Sequence, residues 1–148
     1  MRVLFRFKPV LLCGVLTVAL AGAGCDDDDN TPTTPPAATT ASVTWTTALA
    51  TDGASSRSFR TTRTGTVSVT LQTLGGSTTL RAGLGVGIPL ADGSGCVLSR
   101  SVETVAGTTA QLELDVDPGD YCVQVYDLGD LTAPTPFTVI LAYPIEAT

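Results

Sequence analysis

The residues of this chain that could take part in chemistry are carboxylates and thiols, because none of its 148 residues is a histidine. Without an imidazole, Ser-His-Asp and Cys-His catalysis and all histidine metal sites are excluded. The chain instead contains fourteen acidic residues and four cysteines. Calcium binding, hydrolysis by a carboxylate pair and thiol chemistry are the classes that remain open.

Two pairs of aspartates lie in segments with the composition of loops, Asp117 with Asp120 and Asp127 with Asp130. Calcium takes oxygen ligands from flexible loops, so these four residues are the candidate calcium ligands, although neither segment has EF-hand spacing. Together with Asp115 they are also the candidates for a glycosidase pair. Acidic residues are common in turns for reasons of geometry and solubility, so we predict that the protein is not an enzyme.

The N-terminal segment, residues 1–24, has the features of an export signal. Arg2, Arg6 and Lys8 precede an apolar run over residues 9–23. Fifteen residues are fewer than the roughly 20 that a membrane span requires. We therefore predict a cleaved leader, and the absence of a twin-arginine pair favours the general secretion route.

The end of this leader contains the cysteine to which we assign chemistry. Residues 20–25, Leu-Ala-Gly-Ala-Gly-Cys, resemble the bacterial lipobox, in which small residues precede a cysteine that is acylated and becomes the new N-terminus. The resemblance implies a lipid on Cys25 and attachment of the protein to a membrane. Gly22 stands where that pattern usually has leucine, and cleavage by the ordinary signal peptidase after Ala21 or Ala23 is the alternative.

Cys96 and Cys122 are the thiols that remain once Cys25 is acylated and Cys13 leaves with the leader. A pair of cysteines outside the cytoplasm is most simply a disulfide. Because no CxxC-like spacing is present, we predict a structural bridge on a sheet surface or at an edge. By the alternation along its strand, Cys122 faces away from Tyr121 and Val123.

Residues 25–41 read as a disordered tether that is rich in Asp, Pro and Thr and has no apolar periodicity. The acidic run over residues 26–29 has three interpretations: an inner-membrane retention signal, a surface-export signal, or a solvated charge run without a specific role. The folded domain is predicted over residues 42–148.

Alternation of apolar and polar residues dominates from Ser42 onward, and no segment has a helical period. The pattern predicts an all-β domain of about eight antiparallel strands packed as a β-sandwich. Gly75-Gly76 and residues 117–120 are predicted turns, and Pro144 is expected to end the last strand. The predicted strands centre on residues 43–49, 59, 67–71, 80–88, 96–98, 110–116, 121–125 and 137–143.

Gly83, Gly85 and Gly87 alternate within one predicted strand. Glycine in a strand usually marks a bend, a bulge or the close approach of another backbone, and we favour that interpretation over a flat ligand-binding face. Tyr126 and Trp45 could stack on sugars, but Trp45 lies on the apolar side of its strand and is predicted to belong to the core.

Charge excludes nucleic acid as a partner. Five arginines and fourteen acidic residues follow the leader, a formal charge of −9 for the mature chain, and such a surface repels phosphate backbones. Arg57, Arg60 and Arg63 could bind an acidic polymer, but we expect them to be solvated or paired with nearby acids.

Three stretches of the folded part resemble the bacterial pre-peptidase C-terminal domain family: residues 65–71, residues 118–126 and residues 137–141. The resemblance implies a jelly-roll-like β-sandwich without catalysis of its own, and some relatives bind calcium and matrix or polysaccharide ligands. We transfer no ligand-binding residue from the family to this chain.

These observations predict a non-enzymatic lipoprotein of the bacterial cell envelope, anchored through Cys25 on the periplasmic or cell-surface side. Its β-sandwich would serve as a binding or scaffolding domain for a polysaccharide or an envelope protein, with no cofactor required. The alternative is a calcium-dependent carbohydrate-binding or adhesion module.

Overall fold

The computed structural model describes residues 38–147, and this part of the chain is all-β, as the alternation predicts. No helix long and apolar enough to cross a membrane is found among these residues. The eight strands are β1 (Ala38–Leu49), β2 (Ala54–Thr61), β3 (Gly65–Leu74), β4 (Arg81–Pro89), β5 (Cys96–Val105), β6 (Leu112–Val116), β7 (Gly119–Tyr126) and β8 (Thr135–Glu146).

The strands form two antiparallel four-stranded sheets, and their order confirms the predicted sandwich. One sheet has the order β1-β8-β3-β6 and the other has the order β2-β7-β4-β5. The chain therefore changes sheets at every connection except the β4–β5 hairpin. This alternation of eight strands between two sheets is the topology of a jelly roll.

The core lies between the two sheets because each strand buries the residues of one face. Val67, Val69 and Leu71, which the alternation places on one side of β3, have no exposed surface. Phe137 of β8 is fully buried and meets the ring of Trp45 edge-on at 5.0 Å, so Trp45 packs against the core as predicted.

Several strand boundaries differ from the sequence expectations, and three of them concern β1, β2 and β8. Strand β1 begins at Ala38, four residues before Ser42, because the Thr- and Ala-rich residues there pair with the end of β8. Strand β2 is longer than the single position Phe59 indicated. Strand β8 continues through Pro144 to Glu146, so the expectation that Pro144 ends it is wrong.

The continuation past Pro144 has a simple cause. Strand β8 pairs with β3 only as far as Ala142, whereas its pairing with β1 continues to Glu146. Pro144 therefore lies where β8 has a neighbour on one side only, a position at which the missing N–H need not remove a ladder bond.

We call the end of the sandwich at which the described chain begins the entry end, and the opposite end the distal end. At the entry end, Ala38 of β1 pairs with Glu146 of β8. At the distal end, Leu74 of β3 pairs with Phe137, near the start of β8. The connections β3–β4 and β5–β6 lie at the distal end, because β4 and β6 both start there.

Candidate functional site

Asp117 lies in the connection from β6 to β7, whereas Asp120 is the second residue of β7 and not a loop residue as expected, and each has a protein partner. The Asp117 carboxylate accepts a hydrogen bond of 3.0 Å from the Thr64 hydroxyl. The Asp120 carboxylate lies 3.5 Å from the Arg60 guanidinium, and both of these side chains are exposed. Their contacts stabilise loop geometry and do not form a shared cage.

The carboxylate of Asp127 is an acceptor for four backbone N–H groups. One oxygen accepts from Asp52 at 2.8 Å, and the other accepts from Gly129, Asp130 and Leu131 at 3.0 to 3.2 Å. The side chain thus connects the β1–β2 turn to the β7–β8 connection. Its lone pairs are committed to the backbone, which is the role of a turn-stabilising aspartate.

The pKa of Asp127 is below its ordinary value of 3.8. Desolvation alone would raise this pKa, but the four N–H donors favour the ionised form and their combined effect is larger. Within residues 38–147, no group of three or more His, Cys, Asp or Glu side chains could hold a metal ion. The calcium hypothesis for Asp117, Asp120, Asp127 and Asp130 therefore gains no support from the geometry.

We expect Asp127→Asn to destabilise the domain at pH 7 and to weaken its acid dependence. Because folding lowers this pKa, the ionised carboxylate stabilises the native state above pH 3.8, and that stabilisation is lost as the pH falls toward the lower native pKa. An amide removes the charge and one of the two acceptor oxygens. Urea unfolding at pH 7, 4 and 3 measures both effects.

Asp130→Asn is the matched control, because among residues 38–147 the Asp130 side chain accepts none of the loop's hydrogen bonds. Equal stability losses and equal pH profiles for the two variants would contradict the role assigned to Asp127. Asp92 also contributes to the pH dependence of the wild type, because hydrogen bonds from Ser94 lower its pKa. Both variants retain Asp92, so its contribution cancels in the comparison.

Cys96 and Cys122 form the predicted disulfide, with their Cα atoms 5.9 Å apart. Cys122 lies on the outer face of β7, opposite Gly87 of β4 in the register. Cys96 starts the edge strand β5, so the bridge crosses over the end of β4 on the sheet surface. Cys122 is only 1% exposed, which places its sulfur out of reach of bulky redox partners.

The alternating glycines of β4 make room for neighbouring groups, which confirms the structural interpretation. A Cβ atom on Gly83 would overlap the Tyr126 ring, and one on Gly85 would lie 2.7 Å from a Leu98 methyl group. At Gly87 the overlap would be with the backbone of β5. The outer face of β4 is therefore covered, and it offers no flat surface to a ligand.

Arg57, Arg60 and the remaining acidic candidate, Asp115, have the surroundings of ordinary surface residues. Arg60 is paired with Asp120, while Arg57 is exposed on the edge strand β2. Asp115 accepts a 2.7 Å hydrogen bond from the Thr66 hydroxyl on the neighbouring strand. These contacts resemble ordinary cross-strand pairs of a sheet surface.

An open cleft of about 250 Å³ lies at the distal end, and the sequence did not indicate it. Its walls are residues 72–73 and 76–78 on one side and residues 106–108 on the other. None of these lining residues is charged. The exposed side chains of Gln72, Thr73, Thr78 and Thr108 have no hydrogen-bond partner in the described part of the chain.

Hydrogen bonds hold both walls of the distal cleft in place. In the first wall, the Ser77 N–H donates to the Leu74 carbonyl at 3.0 Å, and the Ser77 hydroxyl accepts from the N–H groups of Thr79 and Leu80. In the second wall, the Gly107 N–H donates to the Leu71 carbonyl at 2.9 Å. A cleft with fixed walls loses little conformational entropy when it binds a ligand.

Gln111 keeps the second wall attached to β3 beyond the last β3–β6 pair. Its side-chain oxygen accepts from the Leu71 N–H at 2.7 Å, and its side-chain amide donates to the Leu71 carbonyl at 3.4 Å. The side chain thereby replaces a strand residue at the Leu71 position of β3. Between Leu71 and Thr73 the β3–β8 register shifts, which turns Gln72 toward the cleft.

In comparisons with known proteins, no family model, curated protein or solved structure matches the chain.

Proposed function

We propose that this protein is a non-enzymatic lipoprotein that displays a small β-sandwich binding domain outside the cytoplasm, anchored in a membrane through Cys25. The observation that carries the proposal is the position of the two ends of the sandwich. The described chain enters at one end, and the open cleft lies at the other. An anchor attached through the N-terminus would join the domain at the end opposite the cleft and would leave the cleft accessible.

The length between the anchor and the fold fits this arrangement. Twelve residues, 26–37, separate Cys25 from the first residue of β1. Such a segment spans at most about 40 Å when fully extended, enough to hold a small domain clear of lipid headgroups. Four consecutive aspartates directly after Cys25 would repel an anionic membrane surface and favour this separation.

The disulfide is consistent with the same location. Structural disulfides persist in the periplasm and at cell surfaces and are rare in the bacterial cytoplasm. The resemblance of three segments to the pre-peptidase C-terminal domain family stays part of this proposal and agrees with the jelly-roll order of the strands. A polysaccharide or an envelope protein is the partner class that we propose for the displayed domain.

Metabolic labelling with an alkyne fatty acid tests the anchor. We expect label on the wild type, none on Cys25→Ala, and undiminished label on Cys13→Ala, since Cys13 belongs to the leader. Equal labelling of wild type and Cys25→Ala would overturn the proposal. In that case mass spectrometry should find an unmodified N-terminus at Gly22 or Gly24, the products of ordinary signal peptidase.

Proteinase K treatment of intact cells then distinguishes the two sides of the envelope. Release of the domain by cleavage before Ala38 would assign it to the cell surface. Protection until the envelope is permeabilised would assign it to the periplasm.

A further inference from the structure

We infer that the distal cleft binds an uncharged, polyhydroxylated ring, such as one sugar unit of a neutral polysaccharide. The inference deepens the proposed function, because it rests on the displayed domain and gives it a ligand class. It starts from the chemistry of the walls, which offer hydroxyl and amide groups and no charge.

The unpaired polar groups of the cleft match the hydrogen-bonding pattern of a sugar. The hydroxyls of Thr73, Thr78 and Thr108 both donate and accept, and the Gln72 amide offers two donors and an acceptor oxygen. A sugar hydroxyl also donates and accepts, so these groups can pair with it in either direction. None of the four side chains must break a bond within the described part of the protein to do so.

The absence of charge in the described walls argues against ionic ligands. A carboxylate or phosphate that enters the cleft would lose part of its hydration and would find no cation to pair with. A charged amine would in the same way find no anion. The Ala106 methyl group and the Cα methylenes of Gly76 and Gly107 add apolar surface against which the C–H face of a ring can pack. Neutral sugars combine these two surface types.

The size and the form of the cleft favour a sugar over a peptide. Its volume of about 250 Å³ lies below the roughly 300–1,000 Å³ of pockets for drug-sized ligands, and it suits a single ring. A peptide that binds by strand addition needs a free strand edge. Here both backbone groups of Leu71, next to the cleft residue Gln72, are occupied by Gly107 and Gln111, so an added strand finds no free backbone group at that position.

The test is ligand-observed NMR on the full-length protein, purified in a detergent that contains no sugar headgroup. The probes are glucose, galactose, mannose and N-acetylglucosamine, with glucuronic acid, glucosamine and an uncharged Gly-Ser peptide as comparison ligands. We expect at least one neutral sugar to bind with a Kd on the order of 1 mM.

Thr78→Val and Thr108→Val each remove a cleft hydroxyl while preserving shape, and each should weaken sugar binding by about 2- to 10-fold. Thr44→Val is the matched control, because Thr44 is also exposed but lies on β1, outside the cleft. All three variants should melt near the wild-type temperature. Weaker binding by the two cleft variants, with Thr44→Val unchanged, supports the inference.

Three results would overturn it: no binding by any neutral sugar, equal binding by wild type and both cleft variants, or binding of a charged sugar or the peptide as tight as that of the best neutral sugar. The same titration on Cys25→Ala protein separates this site from the anchor. We expect that variant to keep its sugar binding, even if fatty-acid labelling has contradicted the lipid anchor. The result of lipid labelling, in turn, does not test the cleft.

Discussion

Replacing Gly87 by alanine is expected to destabilise the domain by about 3 kcal/mol or more, which corresponds to a fall in Tm of roughly 10–20 °C. The cause is the approach of β5 to β4. A Cβ atom at this position would overlap the carbonyl oxygen of Val97 and would lie 2.7 Å from the Cα atom of Leu98. Both are backbone atoms, so no side-chain rotation can relieve the overlap.

The surroundings of Gly87 allow little rearrangement. Its register partner on β5 is Leu98, and Cys96 two residues earlier is covalently bonded to Cys122 of β7. Moving β5 away would break the β4–β5 pairing next to the bridge. The conformation of Gly87 itself is open to alanine, because its φ is not positive. The expected loss therefore comes from packing and not from backbone strain.

Gly83→Ala is the matched control for this prediction. A Cβ atom there would meet the outer end of the Tyr126 ring, which can rotate toward solvent. We expect a loss of about 1 kcal/mol, offset in part by the smaller entropy of an unfolded chain that has alanine in place of glycine. Thermal and urea unfolding of both variants give the comparison. Equal losses at the two positions would refute the close approach of β5.

The same glycines show what alternation in a sequence can predict. Each strand of this sandwich has one buried face, so apolar residues at every second position identified most strands and their inward sets, as at Val67 and Val69. Alternating glycines in β4 indicated a close neighbour. Which neighbour covers each glycine depends on β5 and β7, and that information is not local.

Strand β2 was the weakest prediction for a related reason. It is an edge strand, and of its eight residues only Phe59 and Thr61 are buried. Thr61 is polar and is satisfied by the Asp117 carbonyl at 2.8 Å, a contact made across 56 positions of sequence. An edge strand with one large apolar residue has no apolar period by which it could be recognised.

The candidate site was less predictable than the fold. Asp127 was identified as an acidic loop residue, but its role depends on the Asp52 N–H, which is 75 positions away. The walls of the distal cleft come from the end of β3 with the connection after it and from the β5–β6 connection, about thirty residues further along the chain, and most of their residues are the Thr, Ser and Gly of ordinary loops. Only the jelly-roll order places these connections at the same end of the sandwich.

Removing the disulfide is expected to destabilise the domain by about 3.5 kcal/mol. The bridge joins residues 26 positions apart, and closing a loop of that length restricts the unfolded chain by this amount in the chain-entropy model. The position of the disulfide in the sheet favours the full predicted stabilisation. The bridge ties the edge strand β5, in which no residue is fully buried, to the central strand β7.

Urea unfolding of the oxidised protein, the reduced protein and the Cys96→Ala, Cys122→Ala double variant measures this contribution. The double variant should resemble the reduced protein, and adding a reductant should not change its stability. A stability loss below about 1 kcal/mol would contradict the prediction. Loss of stability in the double variant upon reduction would show that another cysteine pair is present.

Thiol counting connects this prediction to the anchor. If Cys25 carries a lipid and Cys13 leaves with the leader, the denatured mature protein should contain no free thiol before reduction and two afterwards. A chain expressed without residues 1–24 stays in the reducing cytoplasm, where Cys96 and Cys122 should both be free and the domain correspondingly less stable. If the proposed leader exports the chain, the stability of the fold would depend on export, because the bond that fixes β5 would form only after delivery. Finding the disulfide already formed in the cytoplasmic chain would contradict this prediction. The bridge would then no longer support a location in the cell envelope.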